Sequence, residues 1–156
     1  MEENNKSKDN LKSKLLARLG VFFLQLMSAF EQYIVVLKFQ EEDIPSGDEE
    51  RISLRGQQEQ SLLRTILLLN NVIVPLEAQA YLLGRNSNII NLFEEQKNQI
   101  EILRQKAMAQ QQINLSLAQA QLAEIGGQLE KTKTSIGGLR KDSNNDSDTR
   151  FVNITA

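Results

Sequence analysis

The sequence predicts an all-α protein, a helical hairpin or bundle whose first two helices pack antiparallel and whose long third helix extends beyond them as a coiled-coil stalk. Three observations carry this. Apolar residues recur at alternating steps of four and three over most of the chain, which is the period of a helix face packed on a neighbour. Strand signals are nearly missing, with Gly at 8 and Pro at 2 of 156 residues and no alternating Val, Ile and Thr runs. Aromatics are only 5% and Trp is absent, so thin aliphatic seams fit this chain better than a thick globular core.

The first ten residues, MEENNKSKDN, hold nothing to bury and read as a flexible arm over 1–10 without the apolar segment of a signal peptide. A helix is expected over about 11–41. Its apolar line passes through Leu15, Leu19, Phe22, Leu26, Ala29, Tyr33 and Val36. A second line, Leu16, Phe23, Met27, Phe30, Ile34 and Leu37, lies one residue further on and widens the face enough to meet two neighbours. Pro45 and Gly47, set in the acidic cluster Glu41, Glu42, Asp43, Asp48, Glu49 and Glu50, predict an exposed connection from Glu42 to about Gly56.

The second helix is expected over 57–83, with the line Leu62, Ile66, Leu69, Ile73, Leu76, Ala80 and Leu83. Pro75 should kink or divide it near Asn71 to Val74, and Gly84 should end it. The third helix is expected over 87–125, capped by Asn86 or Ser87. Its seam runs Ile89, Phe93, Gln96, Ile100, Leu103 and Ala107. It then steps by four through Gln111 to Leu115 and resumes as Ala118, Leu122, Ile125 and Leu129, a stutter in the heptad phase. Gln96 and Gln111 would be polar seam positions able to fix register.

Ile125-Gly126-Gly127 returns as Ile136-Gly137-Gly138 eleven residues later. Four glycines cost a helix about 4 kcal/mol against Ala, so a Gly-interrupted helix or hinge is expected over 126–140. A flexible tail follows over 141–156, ending in Phe151-Val152-Asn153-Ile154-Thr155-Ala156, which could add a strand or anchor to a partner.

Composition also bears on function. His and Cys are both absent, removing the usual general base, thiolate nucleophiles and the two commonest metal-binding side chains. No Ser-centred elbow, phosphate loop or dinucleotide fingerprint occurs, so no catalytic, cofactor-binding or metal residues are assigned. The acidic cluster lacks the alternating ligands of an EF-hand. With a formal charge of −2 and interleaved signs, no basic stripe invites nucleic acid.

The segment Leu19 to Leu37 approaches the length of a membrane span, yet Glu31 near its centre would cost on the order of 2.5 to 3.5 kcal/mol in lipid. Lys12, Lys14 and Arg18 ahead of Phe22, Phe23, Met27 and Phe30 allow for peripheral contact instead. The Asn-x-Ser/Thr triplets at Asn114, Asn145 and Asn153 would matter only in a secretory pathway.

The expected function is therefore a non-enzymatic structural or assembly subunit, cytoplasmic or particle-associated, that binds protein chains, itself included. Its interaction seam is Leu15, Leu19, Phe22, Leu26, Tyr33, Leu62, Ile66, Leu69, Ile73, Leu76, Ile100, Leu103, Leu115, Leu122, Ile125 and Leu129. Asn and Gln make up nearly a fifth of the residues, a character shared with helical components of phage and bacterial particles. Two alternatives stand beside it: an export chaperone or adaptor holding a client helix in a groove between Leu16 and Leu76, and a peripheral membrane protein.

Overall fold

The computed structural model describes the backbone of residues 2–83 and 89–151 and the side chains of residues 3–83 and 91–139. The described residues are almost wholly helical, with no strand among them. The elements are α1 (Glu2–Ser46), α2 (Glu49–Leu83), a single turn α3 (Ile89–Leu92) and α4 (Glu94–Phe151). Two compact units divide the chain, one ending at Leu115 and the other beginning at Ser116.

In the first unit α1 and α2 form the expected antiparallel hairpin. Late α1 residues meet early α2 residues, as in the bonds of Tyr33 and Gln40 to Glu59 and of Asp43 to Arg55. The buried line on α1 is Leu19, Phe23, Leu26, Phe30, Tyr33 and Leu37. Ala29 and Val36 are buried beside it, so the inward face draws on both apolar rows read from the sequence. On α2, Ile66, Ile73 and Ala80 are buried while Leu62, Leu69 and Leu76 pack beside them half-buried. Each large aliphatic or aromatic side chain so buried contributes roughly 1.5–3 kcal/mol.

The start of α4 lies along this hairpin, parallel to α1 and antiparallel to α2. Phe93 stacks at a tilt on Phe23 with ring centroids 5.2 Å apart, Ala107 is buried, and Phe93, Ile100 and Leu103 pack against the core. Lys97 Nζ reaches Glu77 Oε2 at 2.7 Å. Three helices thus share one core.

Several boundaries differ from the sequence reading. The segment 2–10 is helical, because Lys and Glu are good helix formers and extending an existing helix fixes only one residue per hydrogen bond. The connection expected from Glu42 to Gly56 shrinks to Gly47 and Asp48. Gly47 adopts φ 68°, a left-handed conformation that carries the chain around, and its N–H donates to Ile44 O at 3.3 Å.

Side chains complete that turn. Ser46 Oγ donates to Asp43 O at 2.6 Å and accepts from Asp48 N at 3.2 Å. Asp48 Oδ1 accepts Arg51 N at 3.1 Å, an N-cap that starts α2 eight residues before its expected origin. Pro45 sits in the last turn of α1, where it removes the bond back to the Glu41 carbonyl just before the helix ends at Ser46.

Pro75 does not divide α2, which runs on to Leu83. The expected stop at Gly84 and caps at Asn86 and Ser87 lie outside the described residues. α4 runs as one helix from Glu94 to Phe151, through the stretch 126–140 where a Gly-interrupted helix or hinge was expected. Helical hydrogen bonds are local, so glycine weakens a helix without redirecting it. Residues 152–156, and with them most of the apolar end, lie outside the described residues.

Candidate interaction site

Three features of this molecule can hold something: a polar network at the end of the three-helix core, a groove on the hairpin, and an uncovered apolar line on α4.

The network begins at Tyr33, whose hydroxyl donates to Glu59 Oε1 at 3.2 Å and accepts from Gln111 Nε2. Burial first, then the neighbouring Glu59 charge and its hydrogen bond, raise the phenol far above its ordinary range, and the Gln111 donor opposes this. Glu59 Oε2 also accepts from Gln40 Nε2 at 2.6 Å. Asn114, only 6% exposed, donates from Nδ2 to Leu37 O at 2.8 Å and to Gln40 Oε1 at 3.1 Å. Gln110 Nε2 ties the set to Glu41 Oε2 at 2.6 Å and to Asn114 Oδ1 at 3.2 Å.

Amides joining helices in this way fix their register, because any slip strands buried donors and acceptors. The network also corrects the stutter. From Ala107 the inward-facing line continues through Gln110 and Asn114 by steps of three and four, and not by four and four through Gln111 and Leu115. Leu115 is therefore 50% exposed. The signal was present as a heptad phase that holds through Asn114 before it shifts to the line of Ala118 and Leu122, hidden because polar residues occupy it. Gln96, the other polar seam position, is half-buried, and its Oε1 lies shut from solvent without a hydrogen-bond partner.

A second polar cluster closes the hairpin. Asp43 is buried and pairs with Arg55 Nε at 3.1 Å and, more loosely, with Arg51 Nη1 at 3.8 Å. The Arg55 guanidinium lies 4.5 Å over the Phe39 ring and donates from Nη1 to Gln58 Oε1 at 3.0 Å. The sequence reading of a wholly solvated acidic turn is corrected here. Asp43 points inward, and Asp48 is consumed as a helix cap. Among the described residues no three carboxylates converge as metal ligands.

Beside this cluster runs an open groove of about 570 Å³ between α1 and α2, walled by Gln32, Val35, Phe39, Gln58, Ser61 and Leu62. Leu16 and Leu76, the bounds of the groove expected for a client helix, are half-buried against the same core as Phe93, Ile100 and Leu103. Phe22, Phe23, Met27 and Phe30, the expected insertion face, turn inward: Phe23 and Phe30 are buried, Phe22 and Met27 half-buried. Both α1 and α2 contain windows long and apolar enough to cross a membrane, that of α1 39% buried and that of α2 only 17%. Leu63, Leu67, Leu68, Val72 and Val74 of α2 are exposed.

The third feature is the end of the seam. Of the sixteen seam residues, Leu19, Leu26, Tyr33, Ile66 and Ile73 are buried, and Leu15, Phe22, Leu62, Leu69, Leu76, Ile100 and Leu103 are half-buried. Leu115, Leu122, Ile125 and Leu129 remain exposed at 46–68%. Ile136 and Leu139, at 51% and 68%, continue the same line and were missed. No atom lies within 4 Å of where a side chain would begin at Gly126, Gly127, Gly137 or Gly138. Comparison of the chain with protein families, characterised proteins and solved structures finds no match.

Proposed function

We propose that this chain is a non-enzymatic structural or assembly subunit that docks to other protein chains through the apolar line of α4 from Leu115 onward. One observation carries the reading. Six large aliphatic residues, Leu115, Leu122, Ile125, Leu129, Ile136 and Leu139, lie on one helix line and are all at least 46% exposed. A solvated helix has no need of such a line, and covering it would remove its apolar surface from water.

Composition adds support. With neither His nor Cys in 156 residues, imidazole and thiol chemistry are missing, while Asn- and Gln-rich helical surfaces suit lateral contacts in a phage or bacterial particle. The test is the absolute mass of the purified chain, by light scattering coupled to size exclusion across a concentration series. The Leu115→Asp/Leu122→Asp double variant is expected to lose the association, with helicity retained. An assembly that persists unchanged in the double variant removes the α4 line from the reading.

A second reading rests on α2, whose apolar window is 17% buried and carries Leu67 and Leu68 near 60% exposure. Peripheral membrane association through α2 would use this surface in place of the aromatic face of α1. Flotation with anionic liposomes tests it, and a chain that stays at the bottom of the gradient rules it out.

A further inference from the structure

The uncovered line of α4 is a strict double heptad. Leu115, Leu122, Leu129 and Ile136 repeat every seven residues, and Ala118, Ile125, Thr132 and Leu139 repeat three residues behind them. These are the a and d rows of a coiled coil sustained over about three and a half heptads, long enough for pairing. Resting on the docking reading above, we propose that the occupant of this seam is a second copy of the same segment, running antiparallel about a two-fold axis near Gly127.

Side-chain volumes choose the direction. A parallel pair stacks each residue on its own copy, giving an Ala118 layer and a Thr132 layer that leave voids between all-Leu and all-Ile layers. The antiparallel pair centred near Gly127 sets Leu115 against Leu139, Ala118 against Ile136, Leu122 against Thr132 and Ile125 against Leu129. Each small residue then faces a large one, as close packing requires. The pairing is also self-complementary, since residue i meets j and j meets i, the condition for an isologous contact.

The flanks agree with this register. Beside the seam stand Gln119, Gln121, Gln128 and Ser135, with Lys133 the charged neighbour. The antiparallel register puts Lys133 opposite Gln119 and Gln121 opposite Ser135, so no like charges meet. It also puts Gly126 opposite the Gly126 of the second copy, with open space around each. This gives one of the four glycines a role that the isolated chain does not supply: two helix backbones can approach closely there.

The chain contains no Cys, so single cysteines report the geometry cleanly. A disulfide needs Cα atoms within about 7 Å. Residues 122 of two antiparallel copies would stand about 15 Å apart along the axis, from ten residues at 1.5 Å each. Leu122→Cys alone and Thr132→Cys alone, in the full-length chain, are therefore expected to stay mostly uncross-linked under mild oxidation. Their mixture is expected to cross-link several-fold more, and Gly126→Cys to cross-link with itself.

Efficient self-linking of Leu122→Cys and of Thr132→Cys overturns the antiparallel register in favour of a parallel bundle. A monomer mass at the highest concentration, with no cross-link in any variant, overturns self-pairing altogether. Docking of α4 to a different protein would survive that second result, so the two readings fail separately.

Discussion

The part of the chain up to Leu115 and the part after Ser116 use the same helix-forming vocabulary to opposite ends. In the first, apolar lines on three helices cover one another, and a Tyr–Glu–Gln–Asn network pins their register. In the second, a cleaner heptad than any in the core stands in solvent. Periodicity alone therefore does not make a core. A neighbouring helix must cover the line as well.

The sharpest way to break this contrast is to truncate one large residue in each part. Phe23→Ala removes a buried ring packed on Phe93 and is expected to cost about 3–5 kcal/mol in urea unfolding. Leu122→Ala, at 68% exposure, is expected to change the unfolding of the isolated chain by no more than about 0.5 kcal/mol. Its effect should appear instead in the concentration dependence of the mass. Equal losses in the two variants would mean that residue 122 is covered within the monomer.

Asn114→Ala is next in size. It strips the Leu37 carbonyl and Gln40 of a buried donor, with an expected cost of about 1–3 kcal/mol. Gly47→Ala should cost about 1–2 kcal/mol, because φ 68° brings a side chain against the following carbonyl. Thermal melts of the two variants against the parent check both.

Tyr33 provides a pH signature confined to the first unit. Its folded pKa is raised above the unfolded value of about 10, so at alkaline pH the folded chain holds a proton the unfolded chain has lost. Stability is then complete below about pH 10 and falls as pH rises through the folded pKa. Urea midpoints at about pH 8 and about pH 11 should drop more for the parent than for Tyr33→Phe. One variant is expected to gain: Gln96→Leu replaces an oxygen buried without a partner and should stabilise by about 1 kcal/mol.

Helix existence and most inward-facing residues were legible because they follow from local rules. The 4–3 spacing on α2 located Ile66, Ile73 and Ala80 correctly. What misled was polarity. Gln110 and Asn114 continue the inward line, but the apolar Leu115 drew the phase away from Asn114 and carried it through Gln111. Asp43 was placed in solvent for the same reason, since only a partner such as Arg55 makes a buried carboxylate tolerable.

The sequence by itself determined an all-α chain, a break around Pro45 and Gly47, the hairpin's apolar lines and the seam from Leu115 to Leu129, because helix hydrogen bonds and side-chain periods span only a few residues. The tertiary structure decided which members of α1's two apolar rows turn inward, that the start of α4 packs on the hairpin, and that amides close the end of that core. Those outcomes depend on surfaces brought together from more than seventy positions apart, whose complementarity no local pattern contains.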